Sequence, residues 1–215
     1  YHVVRSPTFH TWAGWRSFLV NGDTKPGVIA VKQHTKIYPL AQAGNPPPAL
    51  PFVNMSGKPF NMVAPADESF WPMLHQVVQE EPTDTIDATT LGIWASIGIE
   101  KGKPFAPDAR MKKILAEAAA VGDATGRAVA YRTRDKEAFF FEDRQWERPF
   151  IGGYKFEKQP GVPNLDAAVM FFFLATGVTP AMDTQVVGQG STYPWTAVDA
   201  DRQPLDGGKN YRLRL

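Results

Sequence analysis

Two prolines three residues apart, Pro104 and Pro107, fix where a helix can begin in the middle of this chain. Each lacks an N–H and pushes the residue before it toward extended geometry, so Lys103 to Pro107 is not helical. Asp108 follows where a side-chain oxygen caps the free N–H groups of a starting helix. Met111, Ile114, Leu115 and Ala118 then recur at helical spacing, with Arg110, Lys112, Lys113 and Glu117 on the opposite face. Gly122 is a candidate stop, and Asp123 is a candidate cap for a second piece ending near Tyr131. The segment reads either as one helix with a glycine flaw or as two in tandem. The whole stretch from Ile97 to Tyr131 is expected to be a helical spacer between two sheet-bearing halves.

Composition narrows the class. The chain of 215 residues is 43% hydrophobic and 21% charged, as in ordinary globular proteins, and is long enough to bury a real core. A net charge of +1, with no basic block, leaves no electrostatic footprint for nucleic acid. The absence of cysteine excludes disulfides, thiolate metal sites and a cysteine nucleophile. The apolar run Met170 to Ala175 is far too short to span a bilayer, so no membrane insertion is expected.

Along the chain, Tyr1 to Ser6 reads as a strand, and Thr11 to Val20 as a strand or a short helix. Asn21-Gly22-Asp23 is turn chemistry, and Pro26 opens a short helix that ends before Pro39. Asn45 to Pro51 is a proline-rich connector. Asp67 or Ser69 caps a helix with the stripe Phe70, Leu74, Val77 and Val78, and Asp87 caps another carrying Leu91, Trp94 and Ile97. Ala138 to Phe141 and Tyr154 to Phe156 read as strands. Leu165 to Thr176, apolar almost all round, is expected to be buried. Trp195 to Val198 and Asn210 to Leu215 read as strands flanking a loop, with Asp206-Gly207-Gly208 as the turn.

The segments YHVVRSPT, WRSFLVNGD, KIYPL, VVQEEP, IGIEKGKPFAPD, FFFLATGVTPAM and YPWTAVDA with PLDGGKNYRLRL together resemble one family. It is a bacterial two-domain family of unknown function, whose halves are known as domains of unknown function 1254 and 1214. The resemblance runs through essentially the whole chain in order. It implies an α+β architecture in which a helical spacer joins partial β-sandwiches, an immunoglobulin-like remnant and then a jelly-roll-like part. On that reading, residues 1–50 end the first sandwich and its connector, 51–134 form a mainly helical linker, and 135–215 begin the second sandwich. The remaining strands would lie outside this chain, which is therefore expected to be a fragment. Family members are commonly exported, implying a periplasmic or secreted location, with the cytoplasm as the alternative. The family carries no settled catalytic residues, so the catalytic set is unknown.

Candidate chemistry is sparse. Asp199, Asp201 and Asp206 alternate in a loop as calcium ligands do, although Arg202 and Pro204 break the calcium-loop pattern and Asp and Gly also serve hairpin turns. Trp12, Trp15, Tyr193 and Trp195 are candidate ligand-binding aromatics, and equally the filling of a sandwich core. His2, His10, His34 and His75 form no metal-ligand pair, and His75 sits beside the stripe of its helix. Gly188-Gln189-Gly190-Ser191 lacks the ending of a phosphate loop. The function expected is that of a cell-envelope β-sandwich protein with a ligand-binding or assembly role. The alternative is a metal- or carboxylate-assisted hydrolase completed by residues outside this chain. No cofactor is implied, a small-molecule or saccharide ligand fits the aromatics, and open strand edges imply a homo-oligomer.

Overall fold

The computed structural model describes every residue except Tyr1, Trp12, Ala13, Trp15, Arg16, Met62, 176–179, 184–185, 189–191, Arg214 and Leu215, and the backbone alone of Pro180 and Ala181. The chain divides into two compact units, Tyr1–Asn61 with Leu74–Ala106, and Met62–Met73 with Pro107–Leu215.

In the first unit, α1 (Lys25–His34) carries Pro26 in its first turn, where a missing N–H costs nothing. It follows a turn in which Asn21 and Gly22 take φ of 52° and 78°. The unit also holds the end of α2 (Phe70–Glu80) and α3 (Ala88–Ser96), which Asp87 caps by accepting from the Thr90 N–H. The carbonyls at the end of α2 are held by Lys101, whose Nζ donates to Gln79 and Glu81 at 2.9 and 2.6 Å. Val78 and Ile99 are its best-buried apolar residues, each 1% exposed.

The second unit is built on α4 (Ala109–Tyr131). Asp108 accepts from the Met111 N–H at 2.7 Å, and the helix runs unbroken through Gly122 for 23 residues. The start of α2 docks on it through Trp71, whose indole N–H donates to the Leu115 carbonyl at 2.8 Å. A short hairpin of β1 (Glu157–Gln159) and β2 (Val162–Pro163) leads into α5 (Leu165–Leu174), and α6 (Pro180–Asp183) follows. Asn164, 3% exposed, caps α5 by accepting from Ala167, while its own amide donates to Asp135. α5 packs on α4 around a core of Ala130, Ala138, Ile151, Ala167 and Met170. The two helices approach closely because Gly126 carries no Cβ, which would lie 3.2 Å from the Phe173 ring.

These elements overturn the expected α+β architecture of partial sandwiches. Among the described residues, sheet structure amounts to one two-stranded antiparallel hairpin and four isolated bridges, so the framework is mostly helical. The immunoglobulin-like and jelly-roll-like layers are not formed. His2 to Ser6 and Asn210 to Leu213 have no ladder. Of the run Ala138 to Phe141, only Phe139 makes a bridge, while Ala138 fills the helical core. The physical reason is that a β-prone run becomes sheet only where a neighbouring strand takes its backbone groups: His2 to Ser6 and Asn210 to Leu213 stay exposed and unpaired, and Ala138 to Phe140 find only the short segment Trp146 to Arg148. α5 also departs from all-round burial. Ala167, Met170 and Phe171 face inward, but Leu165 and Phe172 are 68% and 62% exposed.

Candidate functional site

A cavity of about 220 Å³ opens in the second unit where three segments meet. The C-terminal end of α4 brings Tyr131, Arg132 and Thr133, and the loop after it brings Phe139, Glu142, Arg144, Gln145 and Glu147. The segment after Trp195 adds Val198 and Arg202. Backbone pairing fixes the floor. Glu147 and Trp195 exchange both N–H···O bonds, at 2.8 and 3.0 Å, and Phe139 bridges Glu147 from the other side.

Glu147 is the unusual group. It is 5% exposed, and no cation pairs with it among the described residues. Its Oε2 lies 2.8 Å from the Thr133 hydroxyl, which also lies 3.2 Å from the Val129 carbonyl. Burial pushes the Glu147 carboxyl above its ordinary range, and the hydrogen bond from Thr133 offsets this only in part.

Three exposed arginines line the same cavity. Arg132 and Arg202 form no ion pair among the described residues, while Arg144 meets Asp143 at 3.8 Å and lies over the Phe141 ring, 5.2 Å from its centroid. Arg202 is placed by a turn in which the Asp199 carboxylate accepts from the N–H groups of Asp201 and Gln203, both at 2.9 Å. The turn holds Arg202 at φ 60°, a left-handed conformation uncommon for a residue with a side chain. The arrangement offers planar, charged donors at the rim and one carboxyl inside, which suits a ligand carrying an oxyanion.

Of the aspartates expected as calcium ligands, Asp199 and Asp206 hold turns with their carboxylates, and Asp201 joins the first turn through its backbone. Asp199 holds its own turn as described, and Asp206 accepts from the Gly208 N–H at 2.9 Å. Among the described residues no group of three or more His, Asp or Glu is placed to hold a metal ion, which removes the support for the metal- or carboxylate-assisted hydrolase. The reading as a β-sandwich ligand-binding or assembly protein falls with the sandwiches themselves. Trp12 and Trp15 lie outside the described residues. Tyr193 lines a second cavity of about 300 Å³ with Phe140, Arg148 and Asp183, and Trp195 packs on Phe171 with ring centroids 5.8 Å apart. His75 donates its Nε2–H to the Lys103 carbonyl and stacks on Phe105, so among the described residues a backbone carbonyl and an aromatic ring are what meet it.

Sequence reasoning missed Glu147, Thr133 and the three arginines. One signal was present: in FFFEDRQWERPF, Glu147 follows a tryptophan and stands close to a proline and further aromatics, surroundings that favour burial. No protein-family model matches the chain, and no curated protein matches it.

Proposed function

We propose that this chain binds a small ligand bearing an oxyanion, a carboxylate or a phosphate, in the cavity above Glu147. The observation that carries the reading is the set of Arg132, Arg144 and Arg202 around one cavity without strong ion pairs of their own. Guanidinium groups left without a carboxylate keep their donors for an incoming anion, and a fork of N–H groups matches oxyanion geometry. At about 220 Å³ the cavity is below the size of common drug-binding pockets, about 300–1,000 Å³, so the ligand is small. The site lies between the end of a helix and a short ladder, and owes nothing to a sandwich surface. Kinship to the two-domain family belongs to this proposal only as descent, and brings no site residue with it.

Isothermal titration with sulfate, phosphate and short mono- and dicarboxylates tests the reading. At least one anion should bind saturably while a neutral sugar does not. Arg202→Ala and Arg132→Ala should each weaken it by about tenfold to a hundredfold, the range of one charge-assisted hydrogen bond of about 1.5–3 kcal/mol. Absence of binding at millimolar anion, or binding unchanged in the variant lacking all three arginines, would overturn the proposal.

A further inference from the structure

Among the described residues Glu147 is the one buried carboxyl of this cavity, since Glu142, which also lines it, is exposed. Its Oε1 has no partner among the described residues, and Oε2 has one hydroxyl. An ionised carboxylate here would face any anion held by the arginines across a space of only about 220 Å³. Two like charges a few ångströms apart in a partly buried site repel strongly enough to weaken binding roughly tenfold to a hundredfold. A protonated carboxyl does the reverse, because its O–H donates to a ligand oxygen.

We infer that anion binding in this cavity takes up one proton at Glu147, so that the site loads at low pH and releases its ligand as pH rises. This rests on reading the cavity as an anion site, and adds to it which residue regulates that site and in what sense. The proton comes from solvent and returns there on release. The other charged and titratable groups around the cavity are Tyr131 and Arg132 from α4, Glu142 and Arg144 from the loop, and Arg202 from the turn. α5 presents the apolar Met170 beside Thr133, 3.9 Å from its hydroxyl. Among the described residues no histidine lines the cavity, and a guanidinium group keeps its charge at every pH of the test. The upward push that burial gives the Glu147 carboxyl acts in the required direction.

The test uses sulfate, whose charge is constant across the range, titrated calorimetrically between about pH 5 and pH 8.5 in buffers of differing ionisation enthalpy. Wild type should lose at least about tenfold in affinity across that range and take up as much as one proton per sulfate bound. Glu147→Gln, which is neutral at every pH, should bind with a flat profile near the low-pH affinity, whereas Glu142→Gln should keep the slope. Proton uptake is read on the wild-type protein and needs no variant to fold. Sulfate binding with no proton uptake and no pH slope, or a slope surviving in a folded Glu147→Gln, overturns this inference and leaves the anion site standing. No binding of any anion at any pH overturns both.

Discussion

Met170→Ala tests the helical framework at its centre. The Met170 side chain is 1% exposed and belongs to the cluster of Ala130, Ala138, Ile151 and Ala167 between α4 and α5. Truncation removes its transfer free energy and leaves a cavity, a change that costs about 2–5 kcal/mol across comparable sites. Three of its four cluster neighbours are alanines, which cannot swing into the vacated space, but Phe139, Phe156, Phe173 and Trp195 pack against the cluster and can relax toward it. The loss should therefore fall near the middle of that range, about 3 kcal/mol. With a urea slope of about 2–3 kcal/mol/M, the midpoint should drop by about 1–1.5 M with the slope unchanged. Phe172→Ala is the control. It lies on the same helix, 62% exposed, and should cost under about 1 kcal/mol. Unfolding followed by far-ultraviolet circular dichroism and tryptophan fluorescence gives both numbers. If the two variants lose similar amounts, or if Phe172→Ala loses more, α5 does not present the Met170 face to α4 and the argument fails.

Other consequences can be checked by the same means. Asp108→Ala removes the acceptor for the Met111 N–H and should cost about 1 kcal/mol, whereas Asp108→Asn should change stability by only a few tenths. Gly152→Ala should cost at least about 2 kcal/mol in denaturant melts, since its φ is 84° and its Cβ would lie 2.5 Å from the Glu157 carbonyl oxygen. Gly161→Ala, at φ 78° in open space, should cost about 1 kcal/mol. In the first unit, Glu81 accepts from the N–H groups of Phe9 and His10 and from the His10 ring, at 2.6, 2.9 and 2.7 Å. Glu81→Gln should therefore remove hydrogen-exchange protection at Phe9 and His10 while leaving α4 protected, and equal protection in both proteins would refute the clasp.

What the sequence made legible was local. Asp87 and Asp108 cap the helices expected of them because a cap needs only residues a few positions away. Gly122 shows where local reasoning stops. One glycine costs a helix about 1 kcal/mol, less than α4 gains by packing Gly126 and Ala130 toward α5, so the helix continues. The strands failed for the complementary reason. Alternation and aromatic content in Ala138 to Phe141 and in Asn210 to Leu213 report burial or exposure of a face, and say nothing of whether a partner strand exists. In the last segment the tight turn forms at Asp199 to Arg202, with Val198 bridging Pro204, because the Asp199 carboxylate gathers two N–H groups. Asp206-Gly207-Gly208 makes a smaller turn of its own, with Lys209 N–H bonded to the Asp206 carbonyl. The Glu147 cavity was illegible for a further reason. Its parts come from the end of α4, a loop, and a turn beyond α6, and the bridges of Glu147 to Phe139 and Trp195, far apart in sequence, bring the loop and the last segment together.

The two buried glutamates show how depth and number of partners together decide what a hidden carboxyl does. Glu81 and Glu147 are 7% and 5% exposed. For Glu81, burial pulls the carboxyl upward, but the His10 N–H, the His10 ring, the Phe9 N–H and the charge of His10 together outweigh it and hold it below its ordinary 4.5. A carboxyl lowered on folding contributes stability that is present above that ordinary value and lost as pH falls through the folded one. Glu147 lies deeper and has one hydroxyl for a partner, and burial raises its carboxyl. Its contribution is complete below 4.5 and is lost as pH rises through the higher folded value. Glu147→Gln should therefore leave the acid side of the stability profile of the second unit unchanged and raise the alkaline side. Denaturant melts at a series of pH values would measure it. A variant less stable than wild type at alkaline pH would mean that the carboxylate has partners which repay its burial, and the case for a carboxyl poised to exchange a proton with solvent would be lost.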